Sequence, residues 1–264
     1  FLYVLIINLY SKFNFVFMKI PAFITVRSSS TRLPEKCFLP FGNGTVLEHM
    51  IQRVQFYNLE PIVCTTTEDS DDAIVDLAKK CNVKFYRGPI ANKLLRWSQC
   101  CEHFSLDSFH SVDADDTFFC GDEVKRSYEL LQTGFDMVAP SPSSSNGGAT
   151  VGYSLTADIV KRASLGMSDD LDTEMMWSYI ERVSGLKKIV LKDPSNFVVK
   201  NRMTLDYHED YVLLEAIRLM IGNLATREQV FNIIKKNPNL VKINEFRSGE
   251  WKQGQNNKLF KQKD

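Results

Sequence analysis

Short apolar runs alternate with helix-like stretches along the first half of the chain. The runs predict buried strands at residues 22–26, 62–64, 83–86, 109–112 and 137–139. Between these runs, apolar residues recur at the spacing of an amphipathic helix. The helices predicted in this way lie around residues 46–54, 74–78, 94–104 and 123–131. This alternation is typical of βαβ units, so the sequence predicts an α/β fold with a mostly parallel sheet.

The second half of the chain carries a less regular pattern. It begins after a Ser- and Gly-rich link at residues 140–148. The pattern predicts strands at residues 150–154, 188–191 and 197–205, and helices at residues 159–165, 174–183 and 211–219. Asp206 is therefore expected at the end of a strand. Polar residues after Pro238 predict a peripheral tail at residues 238–264, which leaves residues 18–237 as a single predicted domain.

The first 17 residues are apolar and aromatic and carry one charge, at Lys12. They lack the basic start and the small-residue cleavage site of a signal peptide. The run is also short for a membrane span and contains polar residues such as Asn8 and Asn14. Because Met18 leads directly into the first predicted strand, we interpret residues 1–17 as a translated upstream extension. A weak membrane anchor is the alternative.

The charges of the chain balance, because Lys plus Arg and Asp plus Glu each number 32. A neutral chain has no general attraction to nucleic acid or to an anionic membrane, so neither is expected as a partner. The six cysteines form no C-x-x-C pair and there are only four histidines, which argues against a zinc site. We therefore expect unpaired thiols and a cytoplasmic location.

A cluster of cations follows the first predicted strand: Arg27, Arg32 and Lys36 lie within ten residues of one another. The serines at residues 28–30 are small enough to let backbone N–H groups approach a ligand. Guanidinium and ammonium groups suit phosphate oxygens. The chain contains no Walker A sequence, so the pattern predicts a different kind of triphosphate-binding loop. A solvated basic loop is the alternative.

Three carboxylates, Asp113, Asp115 and Asp116, lie within four residues at the end of the fourth predicted strand. Crowded carboxylates repel one another unless a cation offsets their charge, and Mg²⁺ prefers such oxygen ligands. Asp115 is therefore a predicted metal ligand. Helix capping is the alternative, although it accounts for one aspartate and not for three. Asp206 precedes an acidic helical turn, which by itself indicates capping or stabilisation of the helix dipole.

Together these stretches resemble the cytidylyltransferases that make CMP-sugar acids. That family includes the CMP-Kdo and acylneuraminate synthetases and the SpsF-type proteins of spore-coat polysaccharide synthesis. Its opening pattern is matched by ITVRSSSTRLPEK at residues 24–36 and by Val-Leu-Glu-His at residues 46–49. Further matches are IVCTTTEDSDDAIVDLAKK, FYRGPIANKLLRW, SVDADDTFF, EMMWSYI and RMTLDYHEDYVLL, in that order along the chain.

The resemblance implies a three-layer nucleotide-diphospho-sugar transferase-like fold and the transfer of CMP from CTP to a sugar acid, with Mg²⁺ as cofactor. It implies Asp115 and Asp206 as metal ligands, with Arg27, Arg32, Lys36 and Asp115 as catalytic residues. Further nucleotide-binding residues would be Ser28, Ser29, Ser30, Thr65 and Arg87. Glu174 would contact the acceptor. Arg202 lies on the predicted strand that leads to Asp206, so it could reach the carboxylate of a sugar acid; a surface arginine is the alternative. A homodimer is also implied, with the dimer-forming and acceptor-side portion within residues 140–200.

The chain departs from the family pattern at a few positions. Glu35 replaces a glycine, Ala114 and Thr117 replace the Gly and Pro of the metal turn, and Met175 replaces a histidine. Two other functions stay open. A metal-dependent glycosyltransferase could use Asp113-Ala114-Asp115 to hold a nucleotide-sugar, and a non-catalytic homologue could bind nucleotide alone.

Overall fold

A seven-stranded sheet forms the centre of the fold in the computed structural model, which describes residues 19–261. The strands are β1 (Pro21–Thr25), β2 (Pro40–Phe41), β3 (Gly44–Thr45), β4 (Glu60–Thr66), β5 (Lys84–Gly88), β6 (Ser108–Asp113), β7 (Met137–Ala139), β8 (Ser154–Thr156) and β9 (Lys188–Val190). The sheet order is β5-β4-β1-β6-β8-β7-β9, and β2 pairs with β3 in a separate hairpin. The interpretation of residues 1–17 as an upstream extension lies outside the described residues.

Helices cover both faces of the sheet. They are α1 (Val46–Phe56), α2 (Asp72–Lys80), α3 (Lys93–Phe104), α4 (Gly121–Leu131), α5 (Ala157–Ser164), α6 (Trp177–Ile180), α7 (His208–Ile221), α8 (Arg227–Lys236) and α9 (Ser248–Lys261). Alternate residues of β1 point to opposite faces. Ile24 packs in one buried apolar cluster with residues of α1, whereas Phe23 packs in a second cluster with residues of α3. The predicted three-layer α/β fold is confirmed.

Parallel pairing brings the chemically interesting loops to one edge of the sheet. β1 pairs in parallel with both β4 and β6, and β4 pairs in parallel with β5. The carboxyl ends of these strands therefore lie together, and ligands of α/β proteins bind at such edges. The basic loop that follows β1 faces the acidic turn that follows β6. In the seven-stranded sheet formed by residues 19–261, β8 runs antiparallel to its neighbours, β6 and β7.

The prediction of a strand at residues 197–205 is wrong. Its buried residues, Val199, Met203 and Leu205, explain the strand-like alternation. The segment forms no ladder, because its backbone N–H groups donate to loops: Met203 N donates to the carbonyl of Gly147 and Leu205 N to that of Asp115. Asp206 therefore does not end a strand; it lies just before α7.

Two other predicted elements are shorter or shifted. The run at residues 150–154 contributes only its last residue to β8. Gly152 passes so close to β6 that a Cβ atom there would lie 2.1 Å from the carbonyl oxygen of Ser111. The helix predicted at residues 174–183 is confined to α6, with turns on either side. At residues 150–153, and on either side of α6, the apolar pattern reflects burial of side chains and not a regular strand or helix.

The C-terminal segment is not the peripheral tail that its polarity predicts. Asn244 is buried, and the side chains of Trp251 and Gln255 line the same cleft as the basic loop. Within residues 19–261, none of the helices combines the length and the apolar character that crossing a bilayer requires.

Candidate active site

A cleft of about 1000 Å³ opens at the carboxyl ends of β1 and β6. The predicted site residues in its wall are Arg27, Ser29, Ser30, Arg32, Lys36, Asp115, Glu174 and Asp206. The structure thus brings the basic loop, the acidic turn and the distant Asp206 together. Clefts of this size at the carboxyl ends of parallel strands are typical ligand sites.

Lys36 connects the two predicted metal carboxylates. Its Nζ lies 2.7 Å from Oδ2 of Asp115 and 3.2 Å from Oδ1 of Asp206, and it also donates to the carbonyl of Leu205 at 2.8 Å. Burial opposes the charge of the ammonium, but the two carboxylates outweigh it and raise the pKa of Lys36 above its ordinary value. A permanent cation therefore lies between Asp115 and Asp206.

Asp206 is the most heavily bound carboxylate of the cleft. Its Oδ1 also accepts from Nη2 of Arg32 at 2.6 Å, and its Oδ2 accepts from Nη2 of Arg202 at 3.0 Å. Burial alone would raise its pKa, but the charges of Lys36, Arg32 and Arg202 hold the pKa of Asp206 at about 2. Asp206 is therefore ionised at every physiological pH, as a metal ligand must be.

The acidic turn fits a divalent cation. One ligand oxygen each from Asp113, Asp115 and Asp116 can be chosen so that all three lie within 4.8 Å of one another. Burial, together with the neighbouring carboxylates, raises the pKa of Asp115 and, more strongly, that of Asp116. An Mg²⁺ ion would offset this repulsion, and its preferred ligands are oxygens of this kind. Lys36 already offsets part of this negative charge, since its ammonium lies 2.7 Å from Oδ2 of Asp115.

The Leu-Glu-His part of the resemblance serves to hold this turn in place. Thr45 and Glu48 form a capping box at the start of α1, because each side chain accepts a hydrogen bond from the other residue's backbone N–H. His49 then donates through Nε2 to the carbonyl of Thr117 at 2.7 Å. One turn later, Nε of Arg53 donates to the carbonyl of Phe119 at 2.8 Å. Helix α1 thereby supports the segment that follows the acidic turn.

Glu35, which stands where the family pattern has glycine, adopts a left-handed conformation with φ 53°. Such a backbone favours glycine, and a residue with a Cβ costs about 1 kcal/mol there. The Glu35 side chain is exposed and is absent from the cleft wall. The substitution therefore strains the loop slightly without placing a carboxylate against the cations that are predicted to bind phosphate.

Two predicted nucleotide-binding residues, Ser28 and Thr65, contact Asp71 instead of the cleft. Ser28 donates to Oδ1 of Asp71 through its backbone N at 2.8 Å and through Oγ at 2.7 Å, while Thr65 Oγ1 donates to Oδ2 at 2.9 Å. Although burial opposes it, hydrogen bonds from Thr66, Ser28 and Thr65 lower the pKa of Asp71. Asp71 thus ties the start of the basic loop to the end of β4, a role that the sequence analysis missed.

Arg87 is also placed outside the cleft wall. Its guanidinium donates to the carbonyls of Thr66 and Glu68 and pairs with Asp72 at 2.5 Å. These contacts hold the loop between β4 and α2. The geometry therefore favours a structural role for Arg87 over the predicted contact with nucleotide.

The prediction that Arg202 binds the acceptor's carboxylate does not fit its position. The Arg202 side chain is only 2% exposed and pairs with both Asp206 and Asp210. It lies behind Asp206, away from the cleft wall, because residues 197–205 form a buried connection in place of the expected strand. Its contacts make it a partner of Asp206.

The structure adds Lys93 to the cleft, a residue that the sequence analysis did not single out. Its Nζ lies 3.0 Å from Oδ1 of Asp113 and 4.9 Å from the centre of the Trp97 ring. Burial opposes its charge, but Asp113 and Glu174 raise the pKa of Lys93. Two signals were available in the sequence: the position of Lys93 at the start of a predicted helix, and its place in the matched stretch FYRGPIANKLLRW.

Comparisons with known proteins agree with this geometry. The family model described as cytidylyltransferase matches residues 22–118. An uncharacterised protein of Methanocaldococcus jannaschii is 26% identical over 237 residues, which are 86% of this chain and 95% of the relative. The spore coat polysaccharide biosynthesis protein SpsF of Bacillus subtilis is 24% identical over 230 residues, 81% of this chain and 93% of that protein.

Solved structures share the fold. A cytidylyltransferase from Leptospira borgpetersenii superposes with a TM-score of 0.73 at 22% identity, covering 85% of this chain and 97% of that one. A CMP:2-keto-3-deoxy-manno-octonic acid synthetase complexed with CTP superposes with a TM-score of 0.57 at 12% identity, covering 77% and 99%. The chain is therefore similar to cytidylyltransferases over residues 22–118, the part that holds both the basic loop and the acidic turn of the cleft.

Proposed function

We propose that this chain is a cytidylyltransferase that transfers CMP from CTP to a sugar acid and releases pyrophosphate. The observation that carries the proposal is the convergence of Arg32, Lys36, Asp115 and Asp206 in one cleft. Such a site can hold an anionic triphosphate and a divalent cation side by side. Support for cytosine as the base comes from the family match. Support for a role in polysaccharide synthesis comes from the SpsF relative. Support for a sugar acid comes from the fold shared with the CMP:2-keto-3-deoxy-manno-octonic acid synthetase.

The cations of the loop after β1 would bind the phosphates of CTP. Arg27 is partly exposed at the cleft wall, and Ser29 and Ser30 lie beside it. Arg32 and Lys36 are now paired with carboxylates, so binding of a triphosphate would exchange those partners for phosphate oxygens. Charge-assisted hydrogen bonds of this kind are about twice as strong as neutral ones.

Asp115 and Asp206 would hold Mg²⁺, which when bound would offset negative charge on the phosphates. The protein's own part is to orient the two substrates and to keep both carboxylates ionised. The oxygen of the sugar's anomeric hydroxyl would form a bond to the α-phosphorus of CTP. The bond between that phosphorus and the α,β-bridging oxygen would break, pyrophosphate would leave, and the hydroxyl proton would pass to solvent. Positioning and charge stabilisation are the main contributions of proteins to such transfers.

The acceptor would occupy the other end of the cleft, near Glu174 and Lys93. Arg27 Nη2 lies 3.9 Å from Oε2 of Glu174, so the phosphate loop and this region adjoin. Because Arg202 is buried behind Asp206, another cation must contact the carboxylate of a sugar acid. Lys93 is the candidate, since it lines the cleft and its side chain is 9% exposed.

The glycosyltransferase alternative requires Asp113 and Asp115 to hold a metal together. Asp113 is paired with Lys93, whereas Asp115 and Asp206 are bridged by Lys36. This arrangement favours Asp115 with Asp206 as the pair that receives a cation. A homodimer, a cytoplasmic location and Mg²⁺ as the specific metal stay predictions; the oligomeric state can be measured by light scattering.

A screen of nucleotides against sugar acids, read out as pyrophosphate, tests the proposal. We expect pyrophosphate only when CTP, Mg²⁺ and a suitable sugar acid are all present, and we expect Asp115→Asn to abolish the signal. Pyrophosphate release with neutral sugars but with no sugar acid would contradict the acceptor class. CTP binding without release across the whole panel would favour the non-catalytic alternative.

A further inference from the structure

The far side of Asp206 is held by a buried ion pair that does not touch the cleft. While Oδ1 of Asp206 faces Arg32 and Lys36, its Oδ2 accepts from Nη2 of Arg202 at 3.0 Å. The carboxylate plane is therefore fixed by cations on both sides. Arg202 in turn donates to Asp210 through Nε at 2.9 Å and through Nη2 at 2.9 Å.

Asp210 fixes the backbone of Asp206 as well as the guanidinium beside it. It is fully buried, and its Oδ2 accepts from the backbone N of Asp206 and of Tyr207, each at 2.9 Å. The Asp210 carboxylate thus accepts hydrogen bonds both from the backbone of Asp206 and from Arg202, the side chain that pairs with Asp206. The orientation of Asp206 depends on where Asp210 is held.

Two residues of the C-terminal segment complete this arrangement. Nδ2 of Asn244 donates to Oδ1 of Asp210 at 2.8 Å and to the carbonyl of Arg202 at 2.9 Å, and Asn244 is 1% exposed. The ring of Trp251, on α9, lies 5.1 Å from the guanidinium carbon of Arg202. Both residues lie beyond the predicted catalytic domain at residues 18–237, and neither is a candidate to touch the metal.

We propose that Asn244 and Trp251 position the predicted metal carboxylate Asp206 through the buried Arg202–Asp210 pair. The inference rests on the proposed function, because it assumes that Asp206 binds the divalent ion. Partners that orient the ligands of a metal set its affinity, and their loss typically costs tenfold or more. Without Asn244, Asp210 loses one of its two side-chain donors and is held by Arg202 alone on that side. Without the Trp251 ring, water reaches Arg202 and weakens its pairing with Asp206.

Mn²⁺ binding in the presence of CTP and without acceptor tests the inference, since no turnover occurs in that mixture. Free Mn²⁺ can be counted by electron paramagnetic resonance. We expect Asn244→Ala and Trp251→Ala to weaken Mn²⁺ binding roughly tenfold. Matched controls are Asn239→Ala and Gln253→Ala, which change exposed residues of the same segment and should bind Mn²⁺ as the wild type does.

The same measurement separates positioning from general support of the fold. Trp251→Phe keeps an aromatic ring over Arg202 and should recover most of the lost affinity. Binding of CTP without metal should stay within twofold of wild type in Asn244→Ala, because Asn244 lies outside the cleft wall. A merely structural role would instead lower the melting temperature and leave Mn²⁺ affinity of the folded protein unchanged, which would overturn the inference.

The two hypotheses fail in different ways. Wild-type protein that binds Mn²⁺ with CTP, with Asn244→Ala and Trp251→Ala equal to it, would contradict only the positioning role. Wild-type protein that binds no Mn²⁺ in the presence of CTP would contradict the proposed function, and with it the positioning of a metal carboxylate.

Discussion

The ammonium of Lys36 lies 2.7 Å from Oδ2 of Asp115, although the two residues are 79 positions apart. The contact joins the basic loop after β1 to the acidic turn after β6. The same nitrogen of Lys36 lies 3.2 Å from Oδ1 of a second carboxylate, Asp206. Lys36 therefore lies between the two carboxylates that we propose as metal ligands, so we expect the lysine and a divalent cation to compete for them.

This competition predicts an unusual gain of binding in Lys36→Met. Without nucleotide, the variant should bind Mn²⁺ about tenfold more tightly than wild type, equivalent to about 1.4 kcal/mol. Its melting temperature should be lower than that of wild type without metal, because the two carboxylates then repel each other. Mn²⁺ should restore it. Pyrophosphate release should still fall, since the phosphates lose a cation.

Lys79→Met, a change at an exposed lysine, is the control. Equal Mn²⁺ affinities in Lys36→Met and Lys79→Met would refute the competition.

Asp115→Asn should reduce the rate of CTP-dependent pyrophosphate release by a hundredfold or more. Loss of one metal carboxylate removes several kcal/mol of stabilisation that develops mainly in the transition state. CTP binding without metal should persist, because Arg32 and Lys36 stay in place. Asp122→Asn, at an exposed carboxylate in the first turn of α4, should retain wild-type activity. Undiminished activity in Asp115→Asn would remove this residue from the mechanism.

Nucleotide preference can be read from thermal stability. CTP with Mg²⁺ should raise the melting temperature more than UDP- or GDP-sugars do, since we propose that the loop after β1 binds a triphosphate. At a hundred times the dissociation constant, a ligand adds about 2.7 kcal/mol to the free energy of unfolding. A larger shift with a nucleotide-sugar than with CTP would support the glycosyltransferase alternative.

Two buried histidines predict a loss of stability in mild acid. Burial lowers the pKa of His49 to about 4 and that of His110 to about 3. For His49, the positive charges of Arg53 and Arg218 act in the same direction. Unfolded histidines have a pKa near 6.5. Below that pH the unfolded chain binds protons that the folded chain excludes, so stability is complete above pH 6.5 and declines as the pH falls toward 4 and 3.

Between pH 7.5 and pH 5, protonation of each of these histidines in the unfolded chain should lower the free energy of unfolding by about 2 kcal/mol. Urea unfolding at the two values measures the difference. The Gly152 backbone donates to Nε2 of His110, and Nδ1 lies 2.8 Å from Oγ of Ser154, so His110 is held neutral. His110→Gln should remove about half of the pH effect, whereas His103→Gln, at an exposed position, should leave it unchanged. A stability that is flat between pH 7.5 and 5 would contradict this account.

Sequence patterns were reliable wherever an element is local and regular. Strands β1, β4, β5, β6 and β7 and the helices between them follow from apolar periodicity, because a buried face imposes that period on consecutive residues. The short hairpin of β2 and β3 was not predicted. The convergence of the basic loop and the acidic turn follows as well, since parallel strands end at one edge of the sheet. The pairing of Lys36 with Asp115 and Asp206 is consistent with that reasoning.

Patterns failed where apolar residues are buried without regular pairing. Residues 197–205 alternate like a strand, yet their N–H groups bond to loops, so Arg202 points behind Asp206 and not into the cleft. Thr65 follows a strand and resembles a ligand-binding residue, but Asp71 accepts its hydroxyl. Local periodicity reports burial and carries no information about which distant group accepts a hydrogen bond.

The amino-acid sequence by itself determined the α/β class, the parallel strand edge and the residue types that meet there, because each depends on neighbours within a few turns of chain. Tertiary structure alone decided that Lys36 takes the cation position, that Lys93 enters the cleft and that Asn244 and Trp251 stand behind Asp206. Those arrangements join residues tens of positions apart. They are selected because a charged side chain can be buried only where an oppositely charged or hydrogen-bonding partner offsets the loss of water.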